Sequence, residues 1–470
     1  MALALAPGAS QEVVVTPQTS APRRAEDVRI DAYIRAEMSR QRIPGVAIAI
    51  ARNGTPAKAQ GYGLANIEHS APVTAGTIFQ SGSVGKQFTA AAAMLLVEDG
   101  RMSLSDPLTK YFPDAPAHWK GIAIRHLLTH TSGLPDYTQG MIDFRRDYTE
   151  QELLRFAYGL TLEFQPGARW NYSNTGYVVL GIAIGKASGT FYGDVLRERV
   201  FAPLGMASAR IITEEDIVPH RAAGYRLVRN EIKNQSWVAP KLNTTADGSL
   251  YVSLQDMLAW DAGLRAGRLL TPGSWKQVFT PVTLNSGKPY PYGFGWSVDD
   301  FASRRAQRHG GSWQGFQTFI ARFPDEGLTI IVLTNLAQAD PEKISDGIAA
   351  ILDPALARPS LRPITGGDPA VEARVRRLLT DAAAGKLTPG EFAYVRAGFF
   401  PGAAEAYATM LKDAGEIRTL ALLESREVGD DRVYTYDVGF ARGTLRLRLA
   451  VATDGKLAAF GLSPQKGDRE

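Results

Sequence analysis

A serine and a lysine stand three residues apart at the start of a long apolar segment. Ser83 opens the stretch SVGKQFTAAAAMLLVEDG, and Lys86 follows within the first turn of a predicted helix. Residues three apart share one face of a helix, so the hydroxyl and the amine would be neighbours. A serine becomes nucleophilic beside a base, and burial at a helix N-terminus lowers the pKa of a lysine towards that of a neutral amine. The pair therefore indicates a serine nucleophile with a lysine base.

This spacing on its own is common. Ser463 and Lys466 also show it, in a C-terminal tail with a proline between them. A structural alternative fits equally well: Ser83 would cap the N-terminus of the helix and Lys86 would extend to solvent. Other polar motifs in the chain must decide between catalysis and capping.

Two later stretches supply further polar groups. Tyr172 and Asn174 stand two residues apart immediately before the apolar segment TGYVVLGIAIG, which predicts another buried helix. His309 opens the sequence HGGSW on a predicted strand. Gly310 and Gly311 would let a substrate approach the backbone of that strand closely.

Taken in order, these motifs resemble those of the serine β-lactamase and penicillin-binding protein superfamily, especially its class C-like branch of family VIII esterases and D-aminopeptidases. That superfamily carries Ser-x-x-Lys, then Tyr-x-Asn, then a Lys-Thr-Gly or His-x-Gly strand. The stretches 124–137, 249–260 and 292–296 are similar to it as well. The resemblance covers about residues 27–355. It implies an α/β (α+β) fold, with an antiparallel sheet flanked by helices and an all-helical lobe.

The resemblance also implies chemical roles. Ser83 would attack a carbonyl carbon and become acylated, with Lys86 and Tyr172 sharing the role of general base. Asn174 would hold Lys86 and the substrate amide. The backbone N–H groups of Ser83 and Ser312 would form the oxyanion hole. Neither a cofactor nor a metal is implied.

His309 departs from the commoner family pattern, because the chain contains neither Lys-Thr-Gly nor Ser-Asp-Asn. A lysine at that position would offer a permanent cation to a substrate carboxylate, such as that of a penicillin. A largely neutral histidine offers less. This favours esters, or amides without that carboxylate. Two roles stay open for His309: contact with the substrate, or a hydrogen bond that tunes Tyr172.

Aromatic and histidine residues supply the remaining candidates. Trp313 and Phe316 follow the histidine motif and are predicted to line the acyl pocket. Three more aromatic residues could line that pocket too, although aromatic residues more often fill cores: Tyr62, Trp170 and Trp296. His126 and His130 have the spacing of metal ligands on a helix, but no acidic third ligand is evident nearby. We therefore interpret both histidines as structural.

The composition excludes several classes of protein. Of the 470 residues, 45% are hydrophobic and 21% are charged, which is typical of a globular protein with a large core. The 52 basic residues barely exceed the 48 acidic ones and are scattered, so no nucleic-acid partner is expected. The absence of cysteine excludes a thiol nucleophile and disulfides. No apolar stretch is long enough to span a bilayer.

Four segments are predicted along the chain. Residues 1–26 begin with MALALAPGAS and are interpreted as the remnant of an export signal with a linker, so a periplasmic or secreted protein is expected. Residues 27–355 form the hydrolase-like domain. A Pro/Gly-rich linker, 356–369, connects it to a small α+β domain, 370–470.

Strand patterns at both ends of the hydrolase-like region indicate one sheet. Two apolar runs flank Asn53-Gly54, and further strands are predicted in 291–298, 304–313 and 315–336. The region between them is mostly helical. This predicts a separate lobe, with a ligand cleft between the lobe and the sheet.

The final domain differs in kind from the rest. Helical patterns occupy 369–385 and 388–399, and strand patterns follow in 416–427 and 432–462, with a hairpin turn at Asp454-Gly455. No reactive group of residues stands out there. The sequence leaves open whether this domain shields the cleft, binds a partner or promotes oligomers.

The leading hypothesis is a cofactor-independent serine hydrolase that works through an acyl-enzyme on small esters, or on amides and peptides such as those with N-terminal D-residues. One alternative is a weak β-lactamase or a penicillin-binding-type peptidase. Another is a non-catalytic binding or sensor protein of the same fold. The three intact residues Ser83, Lys86 and Tyr172 argue against a silent protein. A small-molecule substrate is the expected partner, and the oligomeric state is left open.

Overall fold

The computed structural model describes residues 25–211 and 216–464. The export signal predicted in residues 1–26 lies outside these ranges except for its last two residues, so export stays a prediction. Within the described ranges, no helix is both long and apolar enough to cross a bilayer.

The described residues form strands and helices that are numbered here in chain order. The strands are β1 (Gly45–Arg52), β2 (Thr55–Asn66), β3 (Ala71–Pro72), β4 (Phe79–Gln80), β5 (Tyr225–Val228), β6 (Glu231–Asn234), β7 (Tyr251–Val252), β8 (Val282–Thr283), β9 (Pro289–Tyr290), β10 (Ser297–Phe301), β11 (Arg304–Trp313), β12 (Phe316–Phe323), β13 (Leu328–Thr334), β14 (Ile417–Val428), β15 (Asp431–Phe440), β16 (Gly443–Val451) and β17 (Leu457–Pro464). The α-helices are α1 (Ala25–Gln41), α2 (Lys86–Glu98), α3 (Ile124–Leu128), α4 (Glu150–Tyr158), α5 (Asn174–Ser188), α6 (Tyr192–Leu196), α7 (Ala202–Leu204), α8 (Leu254–Arg265), α9 (Pro272–Val278), α10 (Pro341–Leu352), α11 (Pro369–Ala383) and α12 (Ala404–Ala414).

A seven-stranded antiparallel sheet forms the centre of the fold, in the order β10-β11-β12-β13-β1-β2-β3. Strands β1 and β2 join at Asn53-Gly54, where both residues have positive φ, as a tight two-residue hairpin turn requires. Strand β1 also pairs with β13, so that Val46 lies opposite Thr334. Strands distant in sequence therefore close one sheet, which confirms the predicted antiparallel architecture.

The two faces of the central sheet are covered by different layers. On β1, Ala47 and Ala49 face the helical lobe, whereas Ile48 and Ile50 face a thinner layer made by α1 and α10. This alternation follows from the two-residue period of a strand. Because both faces are buried, β1 is a continuous apolar run.

The helical lobe is built around α2 and α5. Helix α2 is buried at every position from Lys86 to Leu96. Helix α5 begins after Ser173, whose hydroxyl accepts a hydrogen bond from the N–H of Gly176 and caps the helix. The first residues of the two helices, Lys86 and Asn174, are hydrogen-bonded to each other. The predicted lobe thus places the N-termini of both motif-bearing helices at one point.

After residue 369 the chain forms a separate four-stranded antiparallel sheet, β14-β15-β16-β17. Helices α11 and α12 pack on this sheet: Leu378 of α11 and Leu411 of α12 lie in one apolar cluster with Leu447 of β16. We call residues 369–464 the C-terminal unit. The boundaries that the sequence indicates for a separate domain there stay predictions.

Two predicted elements lie elsewhere. In the stretch 388–399 the chain forms a short 3₁₀ turn, Pro389–Glu391, because proline and glycine interrupt the helical pattern. A π-helical turn, Phe399–Ala403, begins at its last residue, and the second α-helix of the unit is α12. The strand predicted in 291–298 begins only at Ser297, because the residues before it form a loop with Gly295 at positive φ.

Candidate active site

Ser83 lies in a single 3₁₀ turn that leads into α2 and packs against strand β11. Two glycines make this close packing possible. A Cβ atom on Gly82 would lie 2.5 Å from the backbone nitrogen of Ser312, and one on Gly311 would lie 2.1 Å from the carbonyl oxygen of Ser81. The glycines therefore bring the backbone amides of Ser83 and Ser312 to the same junction, where the oxyanion hole is predicted.

Lys86 is fully buried, so the alternative in which it extends to solvent is wrong. Its Nζ lies 3.0 Å from Ser83 Oγ and 2.7 Å from Asn174 Oδ1, and it also contacts the carbonyl oxygen of Asp247. Burial lowers the pKa of Lys86 to about 8, although the negative charges of Asp247 and Asp136 oppose that shift. A substantial neutral fraction therefore exists near pH 8.

The hydrogen bonds of Lys86 also orient its amine. Both the Asp247 carbonyl and Asn174 Oδ1 can only accept hydrogen bonds. The Asn174 amide is held in this orientation because its Nδ2 donates to Asp136, at 3.0 Å. A neutral amine that gives its two hydrogens to these acceptors directs its lone pair towards Ser83 Oγ. This is the geometry that a general base requires.

Tyr172 lies beside the same amine, with Lys86 Nζ 4.9 Å from the centre of its ring. Burial raises the pKa of the Tyr172 phenol well above 10, and the Ser83 hydroxyl only partly offsets this. A phenolate is therefore disfavoured. Of the two residues predicted to share the role of base, Lys86 has the more suitable pKa, and Tyr172 is present as a neutral phenol.

His309 is buried and neutral, because burial and the nearby Lys86 lower its pKa to about 4. Its Nδ1 lies 2.7 Å from the carbonyl oxygen of Gly310, and its Nε2 lies 2.8 Å from the hydroxyl of Tyr292. Since a carbonyl only accepts, Nδ1 carries the hydrogen and Nε2 accepts from Tyr292. Both nitrogens are engaged, so the alternative of a hydrogen bond to Tyr172 is wrong.

Cavities open on two sides of Ser83, of about 470 Å³ and about 540 Å³. Ser83, Tyr172 and Ser312 line both of them. Asp136 and Asp247 line the first cavity. The second runs along β11 and is lined by the predicted strand motif: His309, Gly310 and Gly311. The sequence motifs therefore converge on one cleft, with Ser83 at its centre.

The two aromatic candidates have different positions. Trp313 lines the first cavity and packs against Phe144, with ring centres 5.9 Å apart. Phe316 is only 2% exposed and packs against Phe79 in the core. The prediction that Phe316 lines the acyl pocket is therefore wrong. Trp313 and Phe316 stand on either side of the hairpin turn between β11 and β12, and only Trp313 reaches the cleft.

Other residues singled out by the sequence are structural. Tyr62 and Trp296 are buried in the core, and Trp170 stacks on Tyr290. The Nδ1 atoms of His126 and His130 accept hydrogen bonds from the backbone N–H groups of Ala123 and Ser173. Within residues 25–211 and 216–464, no cluster of three metal-ligating side chains is found.

Sequence reasoning missed three polar residues of the cleft: Asp136, Asp247 and Tyr292. Asp136 and Tyr292 stand inside stretches that resemble the superfamily, so an acid and a phenol within those stretches were the available signals. Asp247 follows TTA and precedes a glycine, a pattern typical of any loop. Only the fold brings Asp247 to Lys86.

The amino-acid sequence is similar to those of known proteins. A family model described as Beta-lactamase matches residues 30–353. "Penicillin-binding protein 4*" of Bacillus subtilis (strain 168) is 32% identical over 308 residues, which cover 60% of this chain and 68% of that protein. A D-aminopeptidase of Gluconobacter oxydans (strain 621H) is 29% identical over 332 residues, which cover 69% of this chain and 62% of that protein. The chain thus spans less than two thirds of that D-aminopeptidase.

Solved structures show the same fold. The octameric penicillin-binding protein homologue from Pyrococcus abyssi has a TM-score of 0.63 at 23% identity, covering 94% of this chain and 96% of that one. The D-amino acid amidase from Ochrobactrum anthropi SV3, complexed with D-phenylalanine, has a TM-score of 0.61 at 26% identity, covering 71% of this chain and 98% of that one. The predicted fold class and superfamily are confirmed.

Proposed function

Since the chain belongs to the beta-lactamase family, we propose that it is a serine hydrolase that cleaves small amides or short peptides through an acyl-enzyme on Ser83. One observation carries the proposal. The buried amine of Lys86 lies 3.0 Å from Ser83 Oγ, and its two acceptor partners leave its lone pair directed at the hydroxyl. Relatives named D-aminopeptidase and D-amino acid amidase support amides as substrates.

The reaction proceeds in two steps, acylation of Ser83 and then hydrolysis of the acyl-enzyme. Lys86 takes the hydroxyl proton as Ser83 Oγ attacks the carbonyl carbon, and the N–H groups of Ser83 and Ser312 stabilise the oxyanion. Collapse breaks the C–N bond, and the proton passes from Lys86 to the leaving amine. Water then attacks the acyl ester with Lys86 again as the base. The acid is released and the Ser83 hydroxyl is restored.

The carboxylates of the first cavity support a substrate that carries a cation. Asp136 and Asp247 are both buried beside Ser83. Burial raises the pKa of Asp136 above its usual range, and the charge of Lys86 only partly offsets this. That offset disappears when Lys86 is neutral. Within the described chain, Asp247 Oδ1 is buried without a hydrogen-bond partner. An ammonium group near the scissile carbonyl would compensate the negative charge of these carboxylates. The free N-terminus of a peptide or of an amino acid amide is such a group.

The same features weigh against the alternatives. A neutral His309 presents no cation to the carboxylate of a β-lactam, which argues against an efficient β-lactamase. A silent protein has no use for a fully buried lysine, because burial of an amine costs free energy. Esters stay candidate substrates, since any serine that forms an acyl-enzyme from an amide can form one from an ester.

Four substrates and two serine variants test the proposal. The full chain is incubated with D-alanine p-nitroanilide, its N-acetylated form, a short-chain p-nitrophenyl ester and a chromogenic cephalosporin. Ser83→Ala is compared with Ser463→Ala, which removes the serine of the other Ser-x-x-Lys pair. We expect Ser83→Ala to abolish anilide turnover and Ser463→Ala to leave it unchanged. Mass spectrometry of the wild-type chain should show an acyl adduct on Ser83.

The other outcomes discriminate among the alternatives. Turnover of the cephalosporin alone would establish the β-lactamase. A preference for the N-acetylated anilide would contradict the ammonium subsite and leave the acyl-enzyme in place. If neither turnover nor an adduct is found, the remaining hypothesis is a non-catalytic binding protein of the same fold.

A further inference from the structure

The C-terminal unit packs against the loop that leads to Tyr172. Tyr394 packs edge-on against Phe164, with ring centres 5.4 Å apart. Asp431 forms an ion pair with Arg169, at 2.9 Å. These contacts connect a region outside the family-matched residues 30–353 to the segment that ends at a predicted catalytic residue.

Glu163 joins this unit to the site through both carboxylate oxygens. One oxygen accepts a hydrogen bond from the backbone N–H of Ala397, at 2.7 Å. The other accepts from the side-chain amide of Asn171, which directly precedes Tyr172. The backbone N–H of Glu163 donates to the carbonyl of Gly133, at 2.8 Å. Glu163 thus lies between the C-terminal unit and two loops of the active site.

Gly398 contacts the cavity wall itself. A Cβ atom on Gly398 would lie 3.0 Å from Gln139 Cβ and 3.1 Å from the Gln139 carbonyl oxygen. Gln139 lines the first cavity beside Thr138 and Asp136. Gly398 therefore packs against a residue that lines the cavity. A side chain at Gly398 would force Gln139 to shift.

We propose that residues 394–398 of the C-terminal unit support the outer wall of the first cavity and, through Gly398 and Gln139, limit the size of the substrate group bound there. This inference rests on the proposed function, because it concerns the acyl side of the same cleft. Gly398 is then a specificity-determining position that acts through Gln139. The substrate class that it selects is defined by the bulk of the group next to the scissile carbonyl.

A pair of glycine substitutions separates wall support from general damage. Gly398 and Gly385 both have positive φ, +74° and +68°, so alanine imposes a similar backbone strain at each. A Cβ atom on Gly398 meets Gln139, whereas one on Gly385 meets nothing within 4 Å. Gly385→Ala is therefore the matched control for Gly398→Ala within the full chain.

The readout is the ratio of kcat/KM for D-phenylalanine p-nitroanilide to that for D-alanine p-nitroanilide. A misfit of one methyl group in a pocket changes such a ratio by about tenfold. We expect Gly398→Ala to lower the ratio by about that factor and Gly385→Ala to leave it unchanged. An equal ratio in the two variants would overturn the proposal.

Hydrogen exchange separates failure of this inference from failure of the proposed function. If the wild-type chain hydrolyses neither anilide, the proposed function fails, and the wall is tested by exchange in peptides that cover residues 133–141. Altered exchange there in Gly398→Ala, with wild-type exchange in Gly385→Ala, supports the contact between the unit and the cavity. Equal exchange in both variants contradicts it.

Discussion

The two sides of the cleft differ in how they handle charge. On one side, Asp136, Asn174 and Asp247 form what we call the acidic wall, which carries two carboxylates and holds Lys86 through the Asn174 amide oxygen and the Asp247 backbone carbonyl. On the other side, His309 and Tyr292 form the neutral wall, whose polar atoms bond to each other. The acidic wall therefore orients the base, and in the proposed function it also binds a substrate cation, whereas the neutral wall shapes the cleft without charge.

The charge difference has a consequence for the base. Burial alone would neutralise Lys86, and the acidic wall partly restores its affinity for a proton. A pKa of about 8 is the result of these opposing effects. It places the amine close to the pH at which a general base is most effective.

Removal of the amine tests the centre of the comparison and has the largest expected effect. Lys86→Met should lower kcat/KM for D-alanine p-nitroanilide by about 10³-fold, because the serine loses its base. The Tm of Lys86→Met is measured beside its activity, to show that a loss of activity is not a loss of folding. Lys466→Met, the lysine of the other Ser-x-x-Lys pair, is the control. More than a tenth of wild-type activity in Lys86→Met would contradict the role of base.

The pH dependence follows from the same amine. Protonated Lys86 has no lone pair, so kcat/KM should rise with pH through about 8 and fall about tenfold per pH unit below it. A p-nitrophenyl ester is the suitable substrate, because it has no titrating group of its own. Rates of Ser83→Ala serve as the background. A flat profile across the pKa of Lys86 would show that another group is the base.

A neutral replacement in the acidic wall should have an intermediate effect. Asp136→Asn should lower kcat/KM for the free-amine anilide by about tenfold or more, because a charged hydrogen bond to the ammonium is lost. The N-acetylated anilide should be little affected. Asp300→Asn, an exposed position on β10, is the control. If kcat/KM fell equally for the two anilides, Asp136 would only orient Asn174 and would not bind the substrate ammonium.

A change in the neutral wall should have the smallest effect on catalysis. Tyr292→Phe removes the hydrogen bond that His309 Nε2 accepts. The free energy of unfolding should fall by about 1 kcal/mol, because a buried acceptor loses its donor. In contrast, kcat/KM for the free-amine anilide should fall by no more than about threefold. A loss as large as that of Asp136→Asn would remove the distinction between the two walls.

The sequence predicts those parts of the site that depend on local pattern. Ser83 and Lys86 are neighbours because they stand three apart on a helix, and Asn174 is at a helix start because an apolar run follows it. The hairpin at Asn53-Gly54 depends on turn residues. These features need no knowledge of the tertiary fold.

The parts that were not predicted arise from contacts between distant segments. Asp247 reaches Lys86 only through the tertiary fold, and Tyr292 reaches His309 because the segment before β10 lies beside β11 in the sheet. The contact of Gly398 with Gln139 joins residues far apart in the chain. Phe316 was placed in the cleft because it is near Trp313 in sequence, yet it packs against Phe79 in the core.

The central claim is that neutral Lys86 activates Ser83 for acylation. The most direct measurement follows the acyl adduct on Ser83 by rapid-quench mass spectrometry with D-alanine p-nitroanilide, in the wild-type chain and in Lys86→Met, at pH values below and above the pKa of Lys86. The account predicts an adduct on Ser83 that forms faster at the higher pH and is nearly absent in Lys86→Met. An adduct on another residue, or equal acylation rates in the two proteins, would contradict it.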